Sequence, residues 1–276
     1  TYEYTRAKSP TTQTATFPTL LQREGDFSQT YNTAGKLMTI YNPFDTFVNA
    51  KGNIERRPFP GNKVPQSMFD PVALKAMAWI PLPNQEGHPI THTNNWFEQG
   101  VSLNKAHQVN AKVDHSFTSN TRVTGRFSMG KSESTPPNLF GDLRAALPWN
   151  LGPSRNKPVS VVGEFTKVRS ATDLWSIRYG LIYADYHRDP FEEFDLTKLG
   201  LPKYMYDNST HHVFPTFAPD GYQQIGVQGW HIMDRQEGTH HFSGFYSKVA
   251  AGHNLKFGGE TRRRWLHFLH SRCSTG

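Results

Sequence analysis

The chain has 276 residues, enough for one large β domain or two ordinary ones, and a net charge of +7. Its 36% hydrophobic content and mean hydropathy of -0.63 are too low for a helical membrane protein, and no run of about eighteen apolar residues exists; a β-barrel escapes that test, because only alternate residues meet lipid. The single cysteine, Cys273, excludes an internal disulfide and a cysteine-based zinc site, and the bases are scattered, with Arg262, Arg263 and Arg264 the one run, so no nucleic-acid module is legible.

Residues 1 to 9 read as the end of a strand, with Tyr2 and Tyr4 alternating against Glu3 and Thr5. From Pro10 to about Ala106 the chain is punctuated by Pro and Gly and reads as one long extracellular loop region. Within it, Leu37 to Tyr41 and Ile54 to Arg57 flank the turn-prone Asn49, Lys51, Gly52 and Asn53, which predicts a small hairpin outside the main sheet. Asp70 before Pro71 is an N-cap and first-turn proline; it opens the one expected helix, over 70–80, which Pro81 and Pro83 stop. A loop region this long with its own elements is expected to cap or line a site, or simply to pack over a barrel mouth.

Residues 107 to 131 set the architecture. Val109, Ala111, Val113, His115 and Phe117 alternate with Gln108, Asn110, Lys112, Asp114 and Ser116. After a polar turn at Thr118 to Thr121 the period of two resumes, with Val123, Gly125, Phe127 and Met129 against Arg122, Thr124, Arg126 and Ser128. Each strand keeps the pattern for about ten residues, the length that crosses a bilayer obliquely. Two further units follow, at 159 to 186 and 240 to 269, again with short internal turns. The segments between units are long, which is the loop asymmetry of outer-membrane barrels. The fold expected for the chain is therefore all-β: a partial antiparallel transmembrane β-barrel with long extracellular loops and one short helix, its barrel hairpins over 107–276. Phe117 and Trp175 near the short turns, and Tyr183, Tyr186, Trp265 and Phe268 at the far ends, are expected to form two interfacial girdles. Arg263, on the apolar face, falls near the outer interface, within reach of lipid phosphates.

Several stretches also resemble a known family. These are FPTLLQREGDFSQ, IYNPFDT, RRPFPGNKVPQSMFDPVALKAMAWIPLPNQ, TNNWF, the paired strands at 107–131, LTKLGLPKY, FPTFAPDGYQQIG and HNLKFGGETRR. They are similar, in the same order, to the barrel of Oar-like TonB-dependent transporters, chiefly through Arg57 to Asn62, Pro65, Asp70, Pro71 and the run Pro81 to Asn84. The resemblance implies an outer-membrane transporter with an N-terminal plug, a peptide box that engages TonB and a barrel of about twenty-two strands. No plug or TonB box is found and about seven strands are legible. TYEYTR and SRCSTG read as cuts within a longer polypeptide, so coupling to the TonB complex would pass through a plug absent from this chain.

Other signals are weighed against plainer readings. GRFSMGKS, from Gly125 to Ser132, matches a phosphate-binding loop letter for letter, but it continues a strand and no helix follows. His211 with His212, and His240 with His241, are adjacent residues that point to opposite faces if extended, so neither pair chelates through both rings. Asp189, Glu192, Glu193 and Asp195 lack the spacing of a known calcium loop. No nucleophile elbow or H-E-x-x-H appears, so neither an enzyme nor a resident metal or cofactor is expected. The expected partners are outer-membrane lipid and lipopolysaccharide, and an unknown transported substrate; no nucleic acid is expected. Candidate lumen-facing, substrate-binding residues are Gln108, Asn110, Lys112, Asp114, Thr124, Arg126, Ser128 and Arg178. Two alternatives stay open: a structural or adhesive outer-membrane β protein without transport, and a soluble two-sheet carbohydrate-binding domain whose apolar faces pack on each other.

Overall fold

The computed structural model describes residues 1–140, 152–190, 193–227 and 232–270. Seven long strands form one antiparallel sheet: β1 (Tyr2–Ala15), β4 (Trp96–Thr118), β5 (Thr121–Thr135), β6 (Ser154–Ser170), β7 (Asp173–Arg188), β8 (Met233–Ala250) and β9 (His253–His270), paired in that order. β2 (Tyr41–Val48) and β3 (Ile54–Pro58) form a separate hairpin outside the sheet, turning at Asn49 to Asn53; its first strand starts at Tyr41, where the expected arm of Leu37 to Tyr41 ends, and runs on to the turn. β1 and β9 each have one neighbour. Among the described residues no helix is long and apolar enough to cross a membrane, which says nothing about crossing by strands.

The predicted alternation holds in register. Val109 lies opposite Met129, Ala111 opposite Phe127 and Val113 opposite Gly125, while Asn110, Lys112 and Asp114 face Ser128, Arg126 and Thr124. Directly opposed residues share a face. An apolar row therefore runs across β4, β5, β6 and β7 through Ala111, Phe127, Val161 and Leu181, and meets His240 and Arg263 on β8 and β9. This face packs on nothing: Val113 is 67% exposed, Phe117 65% and Phe257 63%. A contiguous apolar face of this extent needs a partner medium, and its shape fits a bilayer. From Val109 to Phe117 it runs about 27 Å along the strand, or about 20 Å of height at a 40° tilt, close to the ~25 Å band of outer-membrane barrels. The soluble two-sheet alternative required this face to be covered by a second sheet, and among the described residues the other sheet is only the β2–β3 hairpin, while the belt residues stay exposed.

Aromatic positions edge the belt, with one correction. Tyr183 and Trp265 pack at 5.9 Å at the loop end, across Gly238, whose missing side chain seats the indole. Trp175 stacks near Tyr246 at 4.8 Å by the short turns. Tyr186 and Phe268, expected in the outer girdle, lie on the opposite face: Tyr186 pairs with Arg235, which pairs with Phe268, one residue out of phase with Tyr183 and Trp265. Odd and even positions on a strand cannot share a face.

Strand lengths also differ from the sequence reading. β1 runs to Ala15 through Pro10, and β4 begins at Trp96, ten residues before the expected end of the loop region at Ala106. Pro10 is tolerated because β1 is an edge strand whose free side needs no donor. The paired residues Lys8 to Thr14 and Phe97 to Leu103 stand above the apolar belt, wet on both faces, so no apolar period marks them.

The packed core lies in the loop layer. Phe17, Trp96, Phe140, Phe194, Leu196, Leu199, Phe214 and Ile225 are buried together, with Trp79 edge-on to Phe194 at 5.3 Å. The predicted helix is present as α2 (Pro71–Met77), capped by Asp70 Oδ1, which accepts from the amides of Val72 and Ala73 at 2.8 and 3.0 Å. It is not the sole helix: one-turn α1 (Leu20–Arg23) carries a Thr19/Gln22 capping box, and α3 (Lys203–Asp207) follows a 3-10 turn at Leu196–Leu199. Arg23 donates to the carbonyls of Met77, Ile80 and Pro81, tying α1 to the end of α2, and burial pushes its pKa below the usual value. Two buried asparagines clamp the loops. Asn62, held at φ 59, donates to the carbonyls of Phe27 and Met38 and accepts from Ile40 N; Asn95 both donates to and accepts from the backbone of Phe17. These bonds satisfy backbone groups that irregular chain would otherwise bury unpaired.

Candidate functional site in the polar face of the sheet

The face opposite the apolar belt is the lumenal face of such a barrel. All eight sequence candidates lie on it: Gln108, Asn110, Lys112 and Asp114 on β4, Thr124, Arg126 and Ser128 on β5, and Arg178 on β7. The alternation that puts apolar residues toward lipid dictates this. Asp114 is the hub of one group, reached by Lys112 Nζ at 2.6 Å, Arg122 Nη2 at 2.9 Å and Thr124 Oγ1 at 2.6 Å. Gln108 donates to Asn110 at 3.5 Å, a weak contact, while Ser128 stands between Asn110 and Ser160. Arg178 grips Glu164 Oε2 through Nε at 3.1 Å and Nη2 at 2.6 Å.

The structure adds residues that the sequence reading did not single out. Glu164 lies between Thr124 and Arg178, and further along the same row come Ser243 and Glu260. His241 Nε2 is 3.1 Å from Glu260, Arg262 approaches the same carboxylate at 3.4 Å, and Arg264 donates to Glu237 at 3.3 Å. The signal that could have found them is the same period of two carried through β6, β8 and β9. Thr124, Arg126, Ser160, Glu164, Arg178 and His241 line a concavity of about 370 Å³ on this face. Arg126 has no carboxylate partner among the described residues, and Lys112 stands directly opposite it. The face is not uniformly polar, since Ile182 and Leu266 also lie on it, 61% and 57% exposed. Cations and carboxylates, with hydroxyls between them, alternate along this wall.

A further description applies to the whole chain. The family description "outer membrane beta barrel domain" matches residues 1–276. The chain belongs to this outer membrane β-barrel family. No curated protein and no solved structure matches it. Its place is the outer membrane of a Gram-negative bacterium, and its paired strands are joined by short turns at Ser119–Asn120, 171–172 and Ala251–Gly252. The last is a two-residue turn with φ 50 and 79, the positive-φ pair that matches strand twist.

Within the barrel the motif-like signals resolve into structure. The phosphate-loop look-alike at Gly125 to Ser132 is continuous β5, its amides committed to neighbouring strands. His240 and His241 point to opposite faces, His240 bonding Tyr179 OH at 2.8 Å, and His212 stacks on Tyr206 at 3.9 Å. Asp195 caps the turn at Leu196–Leu199 through Thr197, which holds its carboxyl below the usual range; Glu192 lies outside the described residues. Among the described residues Asp185, His187 and Asp234 form a group that could hold a metal, their ligand atoms within 4.8 Å of one another on the outward face at the loop end. His187 bonds Asp185 at 2.8 Å and sits 3.5 Å from Asp234.

Proposed function

We propose that this chain is the barrel part of a TonB-dependent outer-membrane receptor of Oar-like type, which takes up a substrate across the outer membrane and is not an enzyme. The observation that carries this reading is the pairing of a charged lumenal wall with a folded loop layer above it. Loops that served only as connections would not build a core from Phe17, Trp79, Phe194 and Phe214, drawn from segments up to about 200 residues apart. A rigid extracellular layer over a wide, ion-lined lumen suits capture of a substrate at the mouth and its passage along the wall. β1 and β9 do not pair with each other, and seven strands are too few to enclose a lumen that admits more than side chains. The order of the family-like segments supports the same assignment. In this reading a plug supplied by the rest of the polypeptide occupies the lumen and is remodelled by TonB, and the wall residues Asp114, Arg126, Glu164 and Arg178 hold plug and substrate in turn.

The test is genetic and transport-based. The coding sequence on both sides is read for a signal peptide, TonB box and plug, and uptake of peptides, glycans and metal chelates is compared in cells with and without the gene and with the proton gradient collapsed. Uptake that needs both the gene and the gradient is the expected result. A gene with no plug, whose loss changes attachment to surfaces but no uptake, would overturn the proposal in favour of an adhesive barrel.

A further inference from the structure

The outward face carries a feature that transport does not use. Just above the apolar belt, register places Arg6 directly opposite Lys105, Lys105 opposite Glu133, and Glu133 opposite Arg155. Lys8, Lys131 and Lys157 lie on the same face one step along their strands. All share the parity of Tyr2, Tyr4 and Val109, so they point out of the barrel. Six bases thus crowd onto four adjacent strands, about 14 Å of rim at the usual strand spacing; Asp185 of β7 stands directly opposite Lys157, and on the four strands themselves the carboxylate among them is that of Glu133. Lys131 pairs with that carboxylate at 2.5 Å. Among the described residues Arg6, Lys8, Lys105, Arg155 and Lys157 have no ion pair.

Like charges directly opposite one another across strands are destabilising, so Arg6 beside Lys105 is a cost that an external anion would remove. The height of the cluster says where that anion comes from. Tyr2 and Tyr4, 63% and 48% exposed, lie on β1 just below it, and the Tyr183–Trp265 pair marks the same level on the far strands. Exposed aromatics at that level sit among lipid headgroups. At the periplasmic end the same face offers Lys167, Arg169 and Lys248 beside Asp173, half as many bases against one acid. The excess of positive charge is on the loop side.

We infer that Arg6, Lys8, Lys105, Lys131, Arg155 and Lys157 form a docking site for the phosphate groups of an outer-leaflet glycolipid, a lipopolysaccharide held by its phosphorylated sugar headgroup. Guanidinium and ammonium groups give such phosphates short, charge-assisted hydrogen bonds. Several bases spread over four strands favour a headgroup with more than one phosphate over a single small anion. The inference rests on the outer-membrane position of the barrel and is independent of what it transports.

The full chain, folded in detergent micelles, is titrated with bisphosphorylated lipid A and bound lipid is counted by native mass spectrometry. The triple variant Lys105→Gln, Arg155→Gln, Lys157→Gln is expected to bind on the order of 100-fold more weakly. Lys167→Gln with Arg169→Gln should change binding less than about twofold. Dephosphorylated lipid should bind wild type as weakly as bisphosphorylated lipid binds the triple variant, and millimolar inorganic phosphate should not displace the lipid. Equal binding by wild type and triple variant, or equal losses in both variants, overturns the inference. Displacement by inorganic phosphate would replace it with a small-anion site. Should the triple variant fail to fold, the comparison of phosphorylated with dephosphorylated lipid on wild type decides alone: indifference to the phosphates refutes the site.

Discussion

Val113 stands in the middle row of the outward face, opposite Gly125 and four residues from each end of the Val109-to-Phe117 belt, and 67% of its surface is exposed. Replacing it with arginine puts a charge near the bilayer midplane, for which the cost in β-barrels is about 2–4 kcal/mol. That converts to roughly a 30- to 900-fold loss in the folding equilibrium. The guanidinium cannot easily escape, because each end of the belt is about 13 Å away along the strand. The control is Ser128→Arg, only a few residues away on β5 but on the opposite face, beside Asn110 and Ser160. A new arginine there meets water and should cost less than about 0.5 kcal/mol. Both variants are folded into lipid vesicles, and the folded fraction is followed against urea by the gel-mobility difference between unheated and heated samples. Equal costs for the two, or a larger cost for Ser128→Arg, would refute the assignment of faces and with it the membrane-spanning reading of this sheet.

Two other outcomes test the loop layer. Phe214→Ala removes a ring packed against Phe194 at 4.8 Å inside the buried cluster and should cost the layer about 3–5 kcal/mol, seen as faster proteolysis of the loops while the sheet stays resistant. Asp26 accepts from Ser28 N and pairs with Lys63 at 2.7 Å, and these contacts lower its pKa to about 2. A depressed carboxylate stabilises the fold above its unfolded pKa of about 4 and loses that contribution as pH falls toward 2. Hydrogen-exchange protection around residues 25–28 and 62–64, taken relative to the intrinsic rate at each pH, should therefore fall between pH 4 and 2 in wild type, and in Asp26→Asn it should already be low at pH 6 with no further step. A matching step in the variant would assign it to another group.

The barrel strands were legible because membrane burial writes a strict period of two into sequence. Between Val109 and Met129 every second strand residue but His115 lacks a polar side chain, and the short turn at Ser119 and Asn120 leaves one workable register. The eight polar candidates followed from that parity, as would Glu164, His241 and Glu260 had the period been carried through β6, β8 and β9. The misplacement of Tyr186 and Phe268 was also avoidable, since each is out of phase with Tyr183 and Trp265. Asp70 and Pro71 announced α2 because capping is a local interaction. By itself, then, the sequence determined the facing of the spanning strands, their short turns and the one strongly capped helix.

Only the tertiary structure decided the rest. Strand residues 10–15 and 96–106 are held by pairing between β1 and β4 across about a hundred residues of chain, and, with Ala15 and Trp96 buried at one end and much of the rest exposed, no hydrophobic period could mark them. The union of Phe17, Trp79, Phe140, Phe194 and Phe214 into one core depends on where the strands deliver the loops, which no local pattern encodes. The same holds for the outward cluster around Lys105, Arg155 and Lys157: its bases are dispersed in sequence, and the charge density that attracts phosphate exists only once four strands lie side by side.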